Sequence, residues 1–222
     1  MVDLPKRITI LGGTGNLGRG LAIRWADAGI DIVIGSRSAE RAATSAAELN
    51  DALGTVRVSG LMTAAAAAAG DLVVIAVPFT AHADTVAAVR DVVQGKIVID
   101  ATVPLVPPKI SRVQLPDGGA AALRTQEFLG DGVKVVAAFH NVAAAHLAEL
   151  GHAIDCDVLV CGDDKEAREV VVALSERIGV TAVQAGPLAN AVALESLTPV
   201  LIWINRNRKI PGAGIRLTGL DV

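Results

Sequence analysis

The sequence predicts an α/β protein built on a doubly wound, mainly parallel sheet with a small C-terminal α/β extension. Short segments that are apolar throughout recur along the chain, alanine-rich segments with helical spacing separate most of them, and a glycine-rich turn follows the first apolar segment. Strands without polar alternation are typical of a parallel sheet that helices cover on both faces. With 222 residues, 52% of them hydrophobic, the chain can bury one substantial core.

Strands and helices alternate in order along the chain. Six strands are predicted in the first part, at Arg7–Leu11, Asp31–Ile34, Thr55–Val58, Leu72–Val77, Lys96–Ile99 and Val133–Phe139. The helices between them are predicted at Leu21–Ala28, Ala39–Leu53, Ala64–Ala69 and Ala81–Val93. After Phe139 the pattern continues with a helix, then a strand near Val158–Val160, a helix at Glu166–Ile178, a strand near Thr181–Val183 and a final helix at Asn190–Asn205.

The turn between the first strand and the first helix predicts a dinucleotide site. It can be aligned in two ways, as GxGxxG starting at Gly13 or as GxxGxxG starting at Gly12. In such a turn the first glycines allow a tight bend, Gly15 lets the backbone approach a pyrophosphate, and Gly18 lets the helix pack on the strand. The free N–H groups at the helix N-terminus then bind the phosphates. We therefore expect a Rossmann-type fold with cofactor contacts at Gly13, Thr14, Gly15, Asn16, Leu17 and Gly18.

The end of the second strand predicts which nicotinamide cofactor is bound. NAD-binding proteins place Asp or Glu there to bond the ribose hydroxyls, whereas this chain has Gly35-Ser36-Arg37. A carboxylate would repel a 2′-phosphate, whereas a hydroxyl and a guanidinium can both donate hydrogen bonds to it. Arg41, one helical turn later, either adds positive charge or is a solvated helix residue. We expect NADP, bound through Ser36, Arg37 and Arg41.

Three segments should meet at the carboxyl edge of the sheet, where ligands of open α/β sheets bind. They follow the fourth, fifth and sixth strands. Their candidate contact residues are Val77, Pro78, Phe79, Thr102, Pro104 and Asn141, and the candidate catalytic residue is His140. Prolines in these loops give stiff apolar walls for a flat ring. Two interpretations of His140 are open: a role in the site, or a capping or buried hydrogen-bonding role in the structure.

Composition excludes several classes of function. Because the sequence has no tyrosine, it lacks the Tyr-x-x-x-Lys pair of short-chain dehydrogenases, and that class of enzyme is excluded. A formal net charge of −3 gives no basic field for nucleic acid. No apolar stretch is expected to approach the roughly 18 residues of a membrane span, and no signal peptide is expected before the first strand. We therefore expect a cytoplasmic protein without a membrane partner.

Cysteines and acidic residues in the C-terminal part have structural interpretations. Cys156 and Cys161 should lie on opposite faces of a strand, which argues against a disulfide between them. Asp163 and Asp164 suit a turn and a helix N-cap better than a metal site. No metal is therefore expected.

Five motifs together resemble one family. In chain order they are Leu11-Gly12-Gly13-Thr14-Gly15-Asn16-Leu17-Gly18-Arg19-Gly20, Gly35-Ser36-Arg37, Val160-Cys161-Gly162-Asp163-Asp164, Ala185-Gly186-Pro187-Leu188 and Leu194-Glu195-Ser196-Leu197-Thr198-Pro199. In these motifs the chain is similar to the NADPH-dependent reductases of coenzyme F420, an 8-hydroxy-5-deazaflavin. The matches span almost the whole chain, and the later motifs are more specific than the glycine turn. One departure is Asn141-Val142-Ala143, where the family often has Thr-Ile-Pro after the histidine.

The resemblance implies an oxidoreductase that transfers a hydride between NADP(H) and F420. It implies that Thr14, Ser36 and Arg37 contact the 2′-phosphate, and that the His140 region lies against the deazaflavin. It also implies a homodimer with an NADP-binding Rossmann domain, residues 1–140, and a smaller C-terminal domain, residues 141–222, that completes the deazaflavin site and makes dimer contacts. Because the cofactors carry the chemistry, the protein need only stack the two rings and exclude water.

Two other functions stay open at this point. An NADP-dependent imine or ketone reductase would need a proton donor, for which His140 is the best candidate. A protein that senses NADP(H) without turnover would use its C-terminal part as an interaction surface. The basic residues after the last helix are either a solvated helix end or a contact for the anionic tail of F420; they are Arg206, Arg208 and Lys209.

Overall fold

Apolar, β-branched segments form eight strands of one sheet in the computed structural model, which describes residues 2–219. The strands are β1 (Arg7–Leu11), β2 (Asp31–Ser36), β3 (Val58–Met62), β4 (Leu72–Ile75), β5 (Ile97–Asp100), β6 (Lys134–Ala137), β7 (Val158–Gly162) and β8 (Ala182–Gln184). Across the sheet they lie in the order β3-β2-β1-β4-β5-β6-β7-β8. All neighbouring strands pair in parallel except β6 and β7, which are antiparallel. The predicted doubly wound, mainly parallel fold is confirmed.

Eight α-helices flank this sheet within the described residues. They are α1 (Asn16–Asp27), α2 (Ala39–Leu53), α3 (Thr63–Ala69), α4 (Phe79–Val89), α5 (Ala121–Leu129), α6 (Ala144–Ala148), α7 (Lys165–Glu176) and α8 (Ala191–Arg208). Two buried clusters fill the space between helices and sheet, one on each face. Trp25 of α1 and Leu174 of α7 belong to the first cluster, and Val86 of α4 and Leu194 of α8 belong to the second. Both halves of the chain therefore contribute to each core.

The two cysteines lie on opposite faces, as expected. Cys156 packs in the cluster that contains Trp25, and Cys161 packs in the other cluster. Both are free and buried, and burial raises the pKa of each thiol to about 11. Asp164 is the N-cap of α7, and its carboxylate accepts a hydrogen bond from the Ala167 N–H at 2.7 Å.

The third strand lies later in the chain than the apolar pattern predicts. It occupies Val58–Met62, whereas the pattern predicts Thr55–Val58. The Asn50 side chain bonds to both the N–H and the carbonyl of Val58, at 2.9 and 2.8 Å, and pairing with β2 begins there. Gly60 interrupts the apolar pattern because a Cβ at this position would meet the Ala42 carbonyl carbon at 2.2 Å.

Arg24 of α1 ties the N-terminal half of the chain to the C-terminal half. Its buried guanidinium donates hydrogen bonds of 2.7–3.5 Å to the backbone carbonyls of Leu147, Ile178, His146, Glu149 and His152. The neighbouring Trp25 donates from its indole nitrogen to the Leu174 carbonyl at 3.0 Å. A guanidinium has five N–H donors and suits such a set of carbonyls. Specific polar bonds thus join the halves in addition to the shared core.

The last helix has one buried side and one exposed apolar side. Leu188–Arg208, a short 3-10 turn followed by α8, has 21 residues and contains an 18-residue window with a mean hydropathy of 1.3, so by length and composition alone it could cross a membrane. This corrects the expectation that no stretch approaches such a length, although packed helices of globular proteins pass the same test. In the structure Leu194 and Glu195 are buried against the body, whereas Val200 and Trp203 are 45% and 55% exposed.

Candidate active site

The glycine turn leaves space open beside α1. Gly12 has a φ of +84°, and a Cβ there would meet the Ala76 carbonyl oxygen at 2.5 Å. A Cβ at Gly18 would meet the Gly12 carbonyl oxygen at 2.6 Å, so packing of the protein itself requires both glycines. Gly15 differs, because a Cβ there would meet only the Gly12 carbonyl oxygen, at 3.3 Å. The exposed space beside Gly15 is what a bound pyrophosphate needs.

The N-terminus of α1 is available to an anion. Gly15 is its N-cap residue, the described residues provide no side-chain cap, and the first turn contains no acid. Asn16 is exposed and Leu17 is half-buried in this turn. Gly13 packs inward, where a Cβ would meet Ile34 Cδ1 at 2.5 Å, so both alignments of the glycine motif have a steric basis. The free N–H groups and the helix dipole favour a phosphate at this position.

A cleft of about 370 Å³ lies beside the turn, at the carboxyl ends of β1, β2 and β4. The sequence-predicted site residues that line it are Thr14, Ser36, Arg37, Arg41, Val77 and Pro78. The other lining residues were not predicted as cofactor contacts, although Gly12 and Gly35 belong to the predicted motifs; they are Leu11, Gly12, Gly35, Ser38, Thr63, Ala81 and Thr85. Most of these lie at strand ends or in the first turn of a helix, and that position is the signal that identifies them. The volume is that of a ligand pocket.

The end of β2 presents two guanidinium groups to this cleft. Arg37 and Arg41 are exposed, and within residues 2–219 neither forms an ion pair. Ser36 Oγ accepts a hydrogen bond from the Ser38 N–H at 3.2 Å, and Ser38 Oγ accepts one from the Arg41 N–H at 3.3 Å. These bonds fix the turn on which both arginines lie. The described lining contains no acidic residue, so the cleft carries positive charge where a 2′-phosphate would lie.

A larger open depression, of about 1170 Å³, lies at the opposite end of the strands. Its lining includes Arg7 and Asp31, which begin β1 and β2, and the segment that follows α2. Open α/β sheets bind ligands at the carboxyl ends of their strands. We therefore assign the site to the smaller cleft.

His140 lies at the carboxyl edge of the sheet, but its ring is buried. It follows Phe139, a non-glycine residue with a φ of +69° that turns the chain after β6. The Phe139 ring makes an edge contact with Trp25, with ring centroids 5.7 Å apart. The His140 carbonyl accepts a hydrogen bond from the Thr198 hydroxyl of α8 at 2.6 Å. Backbone conformations of this costly kind cluster at functional sites.

Three buried polar atoms at this edge have no hydrogen-bond partner among the residues that the structure describes. They are Thr102 Oγ1 and both ring nitrogens of His140. A buried polar group left unpaired costs about 1–3 kcal/mol, so these atoms suit the polar groups of a bound ring. Burial lowers the pKa of His140 to about 4, and the nearby Asp100 charge and the Thr102 backbone oppose this only in part. His140 is therefore neutral at pH 7.

The remaining predicted residues do not line the 370 Å³ cleft. Phe79 begins α4 and stacks on His82, with ring centroids 6.2 Å apart. Pro104 borders a cavity of only about 10 Å³ between the loop after β5 and α8. Asn141 is buried and donates from Nδ2 to the Asp157 carbonyl at 2.8 Å, which is a structural bond. Within residues 2–219 no group of three or more His, Cys, Asp or Glu side chains could hold a metal ion.

Comparison with known proteins identifies the family. The family model for coenzyme F420-dependent NADP oxidoreductases matches residues 7–104. The chain is 40% identical to the F420-dependent NADP reductase of Methanothermobacter thermautotrophicus, over 98% of this chain and 97% of that protein. It is 39% identical to the F420-dependent NADP reductase of Methanocaldococcus jannaschii, over 97% of this chain and 100% of that protein.

The chain belongs to the family of F420-dependent NADP reductases. A solved structure agrees with this assignment. The crystal structure of a candidate F420-dependent NADP reductase from Arthrobacter sp. FB24 has a TM-score of 0.78 and 27% identity, and the match covers 96% of this chain and 99% of that one. The resemblance read from the five sequence motifs is confirmed.

Proposed function

We propose that this protein transfers a hydride between NADP(H) and coenzyme F420. In the direction of F420 reduction, the hydride passes from C4 of the nicotinamide to C5 of the deazaflavin, and one proton from solvent completes F420H2, with NADP⁺ as the other product. Family membership supports both co-substrates. The structural observation that carries the proposal is a cleft with a free helix N-terminus and an acid-free strand end, on the same sheet edge as the unpaired atoms of Thr102 and His140.

Different residues of the cleft bind different parts of the NADP molecule. The N–H groups of α1 and the open space at Gly15 hold the pyrophosphate, and Thr14, Ser36, Arg37 and Arg41 hold the 2′-phosphate. Val77 and Pro78 form the apolar wall at the end of β4. The cleft then directs the nicotinamide toward the ends of β5 and β6, because these strands follow β4 in the sheet.

The unpaired atoms at the ends of β5 and β6 fit the polar edge of a deazaflavin. Thr102 and His140 can together offer a hydroxyl and two ring nitrogens to carbonyl and N–H groups of the ring. The adjoining cavity of about 10 Å³ between α8 and the loop after β5 is too small for a fused ring. The loop has no helix or strand between Asp100 and Ala121. We infer that it moves when F420 enters, as long loops at active sites do.

The protonation state of His140 distinguishes this proposal from the alternative, an imine or ketone reductase. A reductase of imines or ketones needs a proton donor at the reacting atom, whereas burial keeps His140 neutral at pH 7. Hydride transfer between two cofactor rings needs no such donor from the protein. A neutral, buried histidine therefore favours the deazaflavin reaction.

We also propose a cytoplasmic homodimer. Val200 and Trp203 on the exposed side of α8 form an apolar face that a second copy would cover. Residues 1–140 would carry the NADP site, and residues 141–222 would complete the deazaflavin site and contribute this face.

The decisive experiment mixes purified protein with NADPH and F420 and follows the loss of F420 absorbance. We expect reduction with NADPH and little with NADH. A Gly15→Ala variant serves as the control, because its Cβ would meet only the Gly12 carbonyl oxygen, at 3.3 Å, which a shift of a few tenths of an ångström relieves, and because it adds bulk where the pyrophosphate is expected to lie. It should fold normally and lose NADPH binding. NADPH binding without F420 reduction would instead support a sensor, and NADPH oxidation that requires an imine or a ketone would support the alternative enzyme.

A further inference from the structure

A buried polar network lies behind the two unpaired side chains. Asp100, the last residue of β5, is fully buried. Its Oδ2 accepts hydrogen bonds from His82 Nε2 of α4 at 2.8 Å and from the Thr125 hydroxyl of α5 at 2.6 Å. Its Oδ1 accepts one from the Thr102 N–H at 2.9 Å. One carboxylate therefore joins two helices to the loop that carries Thr102.

The same residue is also connected to the segment that carries His140. The backbone carbonyl of Asp100 accepts a hydrogen bond from the Ala138 N–H at 3.3 Å, two residues before His140. Asp100 pairs with Ala137 in the register of β5 and β6. The side chain and the main chain of Asp100 thus fix both segments whose polar atoms lack partners.

The charges around His82 come from three elements. Burial lowers the pKa of His82, but the hydrogen bond and charge of Asp100 outweigh burial and raise it overall. Glu195 of α8 also favours the charged imidazole, and Arg124 of α5 opposes it. Burial raises the pKa of Asp100, yet its bonds to His82, Thr125 and Thr102 hold it below its ordinary value. Both shifts favour the charged forms of the two residues, and the Asp100 carboxylate lies on the side of Thr102.

The stability of the fold does not by itself explain why a buried ion pair of this kind is present. Removing two charges from water costs several kcal/mol per ion even after relaxation, and well-packed apolar side chains often stabilise a core equally well. The network here lies directly behind Thr102 and His140, the residues to which the proposed function assigns the deazaflavin ring.

We propose that Asp100, His82 and Thr125 form a positioning network for hydride transfer, in which the Asp100 carboxylate fixes the Thr102 segment and the His82–Asp100 pair sets the electrostatic field at the His140 ring. The inference rests on the proposed function and adds residues that do not touch the cofactors. His82, Asp100 and Thr125 are positioning residues in this sense.

The test compares variants that remove one bond or one charge at a time. Thr125→Val removes the hydroxyl with almost no change in shape, and Thr125→Ser restores it. Thr9→Val is the matched control, because the fully buried Thr9 also donates a bond of 2.6 Å, but to the Ala66 carbonyl in another part of the core. His82→Gln keeps a donor for Asp100 and removes the positive charge. The measurements are kcat for F420 reduction, the Kd of NADPH, and the pKa of His140 by NMR in the cofactor-free protein, which has only four histidines to assign.

We expect Thr125→Val and His82→Gln to lower kcat about tenfold while the Kd of NADPH changes less than about twofold. Thr125→Ser should recover most of the rate, and Thr9→Val should keep the wild-type rate. In His82→Gln the pKa of His140 should rise by about one unit or more, because the Asp100 charge is then uncompensated. Wild-type kcat and an unchanged His140 titration in His82→Gln and Thr125→Val would overturn the network. If the wild type itself does not reduce F420, the proposed function fails, and the NMR titration still decides whether His82 and Asp100 act on His140.

Discussion

Arg37 lies exposed at the end of β2 and forms no ion pair with any residue in the range 2–219. Its guanidinium is therefore free to bond a 2′-phosphate. One charge-assisted bond of this type contributes about 1.5–3 kcal/mol, so Arg37→Ala should raise the KM for NADPH roughly 10- to 100-fold. The KM for NADH should hardly change, because NADH has no 2′-phosphate.

Arg57→Ala is the control for this prediction. Arg57 is also exposed, but it pairs with Asp31 at 3.0 Å at the other end of the sheet. Its removal should leave both cofactors unaffected. Equal losses with NADPH and NADH in Arg37→Ala would show that Arg37 does not contact the 2′-phosphate.

His140 supplies a second prediction for single residues. Because its ring is buried and neutral at pH 7, we expect it to bond and orient the deazaflavin without donating a proton. His140→Ala should lower kcat about 10- to 100-fold, or about 1.4–2.7 kcal/mol, and leave the Kd of NADPH nearly intact. His146→Ala controls for the loss of an imidazole elsewhere, since His146 stacks on His152.

The pH profile distinguishes the roles of His140. A positioning role leaves the shape of the profile unchanged in the variant. A loss of about 10²–10⁴-fold, with a wild-type profile governed by a group near the histidine pKa, would identify a general acid instead. Full activity in His140→Ala would remove the residue from the site.

At the scale of elements, α8 connects the site to the outer surface. Its buried side carries Glu195, whose carboxylate accepts bonds from the Ala121 and Ala122 N–H groups at 2.7 and 3.0 Å and so caps α5. Its Thr198 holds the His140 carbonyl. Its outer side exposes Trp203 and Val200. A partner on the outer side would thus stabilise a helix that contacts the candidate site at His140.

We predict that Trp203→Glu abolishes dimer formation. A carboxylate in an apolar interface loses its hydration without gaining a partner, so the variant should sediment as a monomer at concentrations where the wild type is a dimer. Val56→Glu is the control, because Val56 is 94% exposed and lies just before β3, which is an edge strand of the sheet. A wild-type monomer, or a dimer that persists in Trp203→Glu, would refute the proposed interface.

Local sequence patterns predict those helices and strands whose ends are set by residues next to them in the chain. Helix α2 occupies the predicted Ala39–Leu53, because Ser38 caps it and Gly54 ends it in a left-handed conformation. The cleft residues at the end of β2, which are Ser36, Arg37 and Arg41, could be predicted as well, because they are close together in the chain. Thr63 and Thr85 reach the cleft only through the packing of α3 and α4, which no local pattern encodes. The turn that carries His140 is likewise held by a contact between Phe139 and Trp25, which lie far apart in sequence.

At the scale of the whole molecule, two buried groups make opposite contributions to pH dependence. Burial lowers the pKa of His140 from 6.5 to about 4, so between these values the unfolded chain binds the extra proton and stability rises with pH. Burial raises the pKa of Glu195 from 4.5 to about 7, so between these values the folded protein binds the extra proton and stability falls with pH. The two effects, each of about 3 kcal/mol in total, should cancel between pH 4.5 and 6.5.

Substitution of either residue should expose the contribution of the other. In Glu195→Gln the free energy of unfolding should increase by about 2–3 kcal/mol from pH 4.5 to 6.5. In His140→Asn it should decrease over the same range. Denaturant unfolding at several pH values measures both slopes. Parallel curves for the wild type and both variants would contradict this account.

A further prediction concerns the connection between the two halves. Arg24→Met leaves several carbonyls without their shared donor, at about 1–3 kcal/mol for each buried group, so the free energy of unfolding should fall by about 3 kcal/mol or more. Unfolding should remain a single transition, because both halves share each core. Arg19→Met, on the same helix, removes only a half-exposed pair with Glu48 and should cost about 0.5 kcal/mol or less. Two separate transitions would show that residues 1–140 and 141–222 unfold independently.

The bonds of Arg24 also bear on how the chain folds as it is synthesised. The acceptor on Ile178 lies 154 residues after Arg24. At about 5–20 residues per second on a ribosome, that acceptor is made roughly 8–30 s later than α1. Throughout this interval the guanidinium stays hydrated, and the apolar side of α1 lacks Leu174 and the other α7 residues that cover it. Nascent chains that stall before α7 should therefore expose this apolar side of α1, even though the whole glycine turn and the first six strands have already been synthesised.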